Sequence, residues 1–130
     1  MDEVEVVKRF LEAMRDRHLL TMMRLTTRDL LLSLPADSPR IGGREHRGKM
    51  SAARAMGRVM RLCGGTLLIE PESFEQFGGG RVNVRARVTA RRGRERLDHE
   101  MTFSFLVRDR KVAEIREAAE DLDAWHAFWG

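Results

Sequence analysis

The hydrophobic period of this 130-residue chain changes once, at Gly64-Gly65, from helical spacing to strict alternation. That order, more than composition, constrains what the chain folds into. Before the break, Val7, Phe10, Leu11 and Met14 recur at helical spacing and predict a helix over 3–15. Asp16 is placed to cap a second helix carrying Leu19, Leu20, Met22, Met23 and Leu25. Asp29 to Leu34 reads as a short apolar strand ended by Pro35, and residues 36–43, with Pro39 and Gly42-Gly43, as a loop. A third helix is expected from about Arg44 to Leu62, with Met56, Val59, Met60 and Cys63 on one face and Ala52, Ala53, Ala55 and Gly57 permitting close packing. The Met22-Met23, Met56 and Met60 stripes read as core filler.

After Gly65 the alternation predicts strands over 66–77, 81–91, 95–107 and 112–119, separated by Gly78-Gly79-Gly80, Arg92-Gly93 and Arg108-Asp109-Arg110. Pro71 lacks a backbone donor, so its strand must lie at an edge or carry a bulge. A turn at Arg92-Gly93 sets Val88 opposite Leu97, Ala86 opposite His99 and Val84 opposite Met101, with Arg87 facing Asp98 and Arg85 facing Glu100 on the other side. A three-residue loop then sets Phe103 opposite Ile115, Met101 opposite Glu117 and His99 opposite Ala119. On this register His99 and Glu117 are the ionisable groups of the apolar face, diagonal to each other, with Ala86 and Ala119 leaving space beside the imidazole. A short final helix capped by Asp121 carries Trp125, Phe128 and Trp129 and should dock on the body.

The length suits one domain, 1–130, and 42% hydrophobic with 34% charged residues suits a packed, water-exposed protein. No run approaches the roughly 18 apolar residues of a membrane span, and Met1-Asp2-Glu3 shows no secretory pattern, so a cytoplasmic location is expected and no membrane partner. The single cysteine, Cys63, excludes an intrachain disulfide and a multi-cysteine zinc site. The net charge of +4 comes from arginines scattered among 20 acids, without the clustering or aromatic interleaving that nucleic acid requires, so no nucleic-acid partner is expected. Gly43-Arg44-Glu45-His46-Arg47-Gly48-Lys49 mimics a phosphate loop, but Met50 stands where Ser or Thr must hold magnesium. His99-Glu100-Met101 lacks the second histidine of a zinc motif, so no metal site is expected. His46, entering the third helix, is expected in solvent, and His18 and His126 in structural roles.

Helix, helix, strand, helix and then a long antiparallel sheet resembles the cone-shaped α+β fold of the nuclear-transport-factor-two-like superfamily. That fold packs three N-terminal helices on a strongly curved antiparallel sheet and ends in a short C-terminal helix. The carriers are Arg9-Phe10-Leu11-Glu12, the Leu34-Pro35 strand end, Ile41-Gly42-Gly43-Arg44-Glu45, and the run Lys111 to Glu117 followed by Glu120-Asp121. Ketosteroid isomerases and the SnoaL-like polyketide cyclases are members. The resemblance implies a cup between helices and sheet that takes apolar small molecules. Lined up over residues 9–35, the isomerases' catalytic tyrosine falls on Phe10 and their base on Leu34, while their sheet aspartate falls on or beside His99. That isomerase mechanism therefore does not transfer. The Asp-Arg-Asp set of the related epoxide hydrolases finds Glu117 but no partner among Val84, Ala86 and Val88.

Two functions fit. In the first, the chain is a SnoaL-like protein binding a polyketide- or steroid-like ligand, and any catalysis is cofactor-free isomerisation, cyclisation or dehydration. His99 is then the acid/base and Glu117 its orienting partner, within walls of Phe10, Leu34, Ala86, Met101, Phe103, Trp125 and Trp129. Alternatively, the two form a water-linked polar pair in a non-catalytic dimeric module that binds a ligand or protein. A homodimer through the sheet is the expected assembly, since the outer face (Arg85, Arg87, Asp98, Glu100, Arg116) is polar and paired.

Overall fold

The computed structural model describes residues 2–130. Helix α1 (Glu3–Arg15) starts at Asp2, whose carboxylate accepts the Glu5 N–H at 2.8 Å, and carries Glu3 and Glu5 in the turn where the helix dipole favours acids. It buries Val6, Val7, Phe10, Leu11 and Ala13; of the predicted stripe, Val7, Phe10 and Leu11 are buried and Met14 is half-buried. Asp16 does not cap the second helix. It ends α1, its side chain pairs with Arg15, and the chain turns at Arg17 with φ of 60° before α2 (Leu19–Arg24) begins. No residue of α2 is buried.

Strand β1 (Thr26–Ser33) starts three residues before the expected Asp29. Residues assigned to the start of the third helix instead form a short strand, β2 (Glu45–Arg47), antiparallel to β1. The correction has a local cause: Gly48 takes φ of 93° and ends the strand, so α3 (Lys49–Leu62) begins only after it. His46 consequently points inward between outward Glu45 and Arg47 and is buried, not solvated. The remaining strands are β3 (Leu68–Gln76), β4 (Arg81–Arg92), β5 (Glu95–Arg108) and β6 (Lys111–Ala119), and helix α4 (Leu122–Trp129) closes the chain.

The six strands form one curved sheet in the order β2-β1-β6-β5-β4-β3. It is mixed, not wholly antiparallel, because β1 runs parallel to β6. Pro71 meets both expectations: β3 is an edge strand, and its pairing slips between Pro71 and Ser73.

Both hairpin registers differ from the expected ones by two residues. Between β4 and β5 the turn is Gly93-Arg94, not Arg92-Gly93, with Gly93 at φ of 62° in the first central position. Moving a two-residue turn by one position slides the pairing by two, which preserves which side chains face inward. Thus Ala90 faces Leu97, Val88 faces His99, Ala86 faces Met101 and Val84 faces Phe103. Arg87–Asp98 and Arg85–Glu100 are diagonal neighbours, yet both ion pairs form, at 2.8 and 3.7 Å. Between β5 and β6 the loop is the two-residue turn Asp109-Arg110, both at left-handed φ (53° and 63°), followed by a bulge. Phe105 therefore faces Ile115, Phe103 faces Glu117 and Met101 faces Ala119.

The core joins α1 to the inner sheet face. Phe105, 1% exposed, sits at its centre, edge-on to Phe10 with ring centroids 6.1 Å apart. Asp121 caps α4 by accepting the Ala124 N–H at 3.0 Å. Trp125, Phe128 and Trp129 are buried, and Ser38 Oγ donates to the Trp129 carbonyl at 2.7 Å, so the aromatic tail docks as expected. No helix among the described residues is long and apolar enough to cross a membrane.

Candidate functional site

Helices α1, α2 and α3 do not close completely on the sheet. They leave a cavity of about 340 Å³, within the range of small-molecule sites. Phe10, Leu11 and Met14 of α1 line one side, and Leu19, Met22 and Met23 of α2 with Ala53, Met56, Gly57 and Met60 of α3 another. Met101, Phe103 and Phe105 of β5 and Ile115 of β6 form the floor, and Leu34, Ile41, Trp125 and Trp129 complete the wall. Helix α2 rests on α1 and β1 and scarcely on α3, which leaves the hollow between those two helices. The methionines read as core filler are thus cavity walls, half-buried because they border open space.

The charged or hydroxyl side chains on this surface are Glu117, Thr26, Lys49 and Arg17. Glu117 projects from β6 opposite Phe103. Burial without a compensating charge raises its pKa to about 8, so its carboxyl is mostly neutral at pH 7. The two cations rest on neutral acceptors. Lys49 Nζ donates to the Met23 carbonyl at 2.7 Å, and Arg17 to the Gly65 carbonyl and, at 3.3 Å, to Met60 Sδ.

Seven of the nine expected site residues line this space: Glu117, Phe10, Leu34, Met101, Phe103, Trp125 and Trp129. Ala86 and His99 do not. Ala86 is fully buried in the packed core. His99 lies opposite Val88, four residues along β5 from Phe103, which is about 13 Å in an extended strand. The expected His99–Glu117 couple is therefore not assembled, and the tight Asp109-Arg110 turn together with the bulge at Leu106-Val107 is the reason. Both His99 ring nitrogens are buried without a hydrogen-bond partner. Burial holds the imidazole pKa below its ordinary 6.5, against the opposing pull of the Asp121 backbone and the charges of Asp121, Asp98 and Glu100.

A depressed histidine pKa costs stability on the acid side. It leaves the fold unaffected above pH 6.5 and weakens it as falling pH protonates the unfolded chain first. His99→Gln is accordingly expected to flatten the acid limb of a melting-temperature profile between pH 4 and 7 and to leave ligand binding unchanged. Lost binding would place His99 in the site.

Lys49, Arg17 and Thr26 were not among the expected site residues. One signal for Lys49 was available, since it is one of only three lysines in a chain whose other cations are arginine.

No protein-family model matches the chain, and no curated protein does. Solved structures do. The chain is 30% identical to Bal32a from a soil-derived mobile gene cassette, over 98% of this chain and 96% of that one, with a TM-score of 0.92. It is 25% identical to a nuclear-transport-factor-two-like protein from Burkholderia xenovorans, over 98% and 95% of the two chains, with a TM-score of 0.79. The fold is also that of IdmH from Streptomyces antibioticus, a proposed polyketide cyclase, at 15% identity, 96% coverage of each chain and a TM-score of 0.77.

Proposed function

Since the chain belongs to the nuclear-transport-factor-two-like superfamily, we propose that it is a SnoaL-like member whose cavity binds an apolar small molecule and that Glu117 exchanges a proton with it. The observation that carries this reading is a single carboxyl with no cation beside it on the wall of a mostly apolar hollow of about 340 Å³, where burial favours its neutral form. A carboxyl in that state donates a hydrogen bond, and then a proton, to a carbonyl or hydroxyl oxygen, and its conjugate base takes a proton back from carbon. Isomerisation, cyclisation and dehydration of a polyketide- or steroid-like ligand each need that exchange, and the Glu117 carboxyl can make it without a cofactor. Phe10, Met101, Phe103 and the two tryptophans exclude water and hold the ligand by area. His99 lies outside the cavity and takes no part in that exchange. Its place as acid/base passes to Glu117.

The test begins with native mass spectrometry of the protein as purified, to identify a carried ligand, followed by turnover of that compound. Glu117→Gln keeps the shape and loses the proton. It is expected to retain the ligand and lose at least about a hundredfold in rate, the range of a general acid/base. The parent's rate should fall as pH rises through about 8, where the carboxyl ionises. Full activity in the variant would reduce the protein to a binding module. For assembly we propose a homodimer across the outer sheet face, where Arg81, Arg85 and Arg87 are already matched to Glu114, Glu100 and Asp98 within the chain.

A further inference from the structure

We infer that the ligand is an elongated apolar molecule with an anionic head, a carboxylate, received by Lys49 and Thr26. This rests on the cavity being a binding site and names what kind of molecule fills it. Ion pairs are plentiful in this chain, and arginines of the sheet find acids across strands. Lys49 takes part in none of them among the described residues. It is half-buried on the cavity wall, and its ammonium donates to the Met23 carbonyl. The buried Thr26 hydroxyl donates to that same carbonyl at 3.0 Å. An ammonium and a hydroxyl thus converge on one backbone oxygen at the edge of an apolar hollow.

A cation partly withdrawn from water and served by a neutral acceptor alone still lacks a counter-charge. A carboxylate entering beside it supplies that charge and makes a hydrogen bond charged at both ends, stronger than the bond the ammonium gives to a neutral carbonyl. At the far end the demand is opposite. Thr26 pairs with Val112, five residues before Glu117 on β6, so the two polar points are roughly 16 Å apart along the strand. Burial holds Glu117 neutral, and an anion placed there without a cation would be costly. The polarity of the cavity therefore orients its ligand: carboxylate at Lys49 and Thr26, apolar body along the methionine and aromatic walls, an uncharged oxygen at Glu117.

The experiment loads the full-length protein with the neutral fluorophore N-phenyl-1-naphthylamine and displaces it with dodecanoate or dodecan-1-ol, which differ in the head group alone. Dodecanoate should displace the probe about tenfold more effectively, the margin expected of one hydrogen bond gaining a charge. Lys49→Met should abolish that margin and leave displacement by the alcohol unchanged, while Lys49→Arg should keep it. Probe fluorescence in each variant reports that the cavity is intact. Equal displacement by acid and alcohol in the parent, or a margin that survives Lys49→Met, overturns the anionic head and leaves the binding cavity standing. Failure of the probe to bind the parent at all overturns both.

Discussion

Glu117→Gln is expected to be more stable than its parent at pH 9 and indistinguishable from it at pH 4. The carboxyl titrates at about 8 in the fold against an ordinary 4.5. A raised carboxyl pKa leaves stability intact below 4.5. Between 4.5 and about 8 the unfolded chain releases a proton that the fold retains, and stability falls by up to about 1.4 kcal/mol per pH unit. Above 8 the loss is complete. Water entering the cavity softens the penalty, so the total is about 3 kcal/mol rather than the full product. Glutamine carries no titrating proton and removes the slope. Urea unfolding of both proteins at pH 4, 7 and 9 checks this. Parallel profiles would show that Glu117 ionises as if in water. Such a destabilising acid, kept on a mostly apolar cavity wall, is what a functional carboxyl looks like.

The second large effect separates core from cavity. Phe128→Ala should cost about 3–5 kcal/mol, because Phe128 is 3% exposed, packed edge-on against Trp129 and away from the cavity wall. For a domain of this size that is a large share of total stability. Met56→Ala removes a side chain of similar apolar character from α3, yet should cost about 1 kcal/mol or less. Its outer atoms border the hollow, so truncation enlarges an existing space instead of creating one, and alanine favours the helix. Comparable losses at both positions would mean that Met56 is buried among neighbours and that the hollow is filled.

Periodicity carried most of the architecture. Helices α1 and α4 and the four long strands stand where apolar spacing put them, because each buries one continuous face, and Pro71, by its missing donor, called for an edge or a bulge, of which the strand has both. The three residues of β2 are too short for any period, and Gly48, which separates them from α3, reads equally well as a residue inside a helix start. Register was the weak link. A turn with glycine first and a turn with glycine second are both sound chemistry at Arg92-Gly93-Arg94, and nothing in Asp109-Arg110 declares two left-handed residues in a row. Alternation survives such errors because they move pairing by two residues. Partnerships do not survive them, and His99 and Glu117 were linked by partnership. The cavity walls were legible through the inward faces and the resemblance. Lys49 and Thr26 were not: Thr26 reaches the Met23 carbonyl through the local turn that leaves α2, but only the tertiary fold brings Lys49, 26 residues away, to the same oxygen.

Titration of the Glu117 side-chain carboxyl by carbon-13 NMR, in the free protein and with N-phenyl-1-naphthylamine bound, bears on the central claim directly. A midpoint near 8 that moves when the probe enters is the predicted result. A midpoint near the ordinary 4.5, unchanged by the probe, would contradict it.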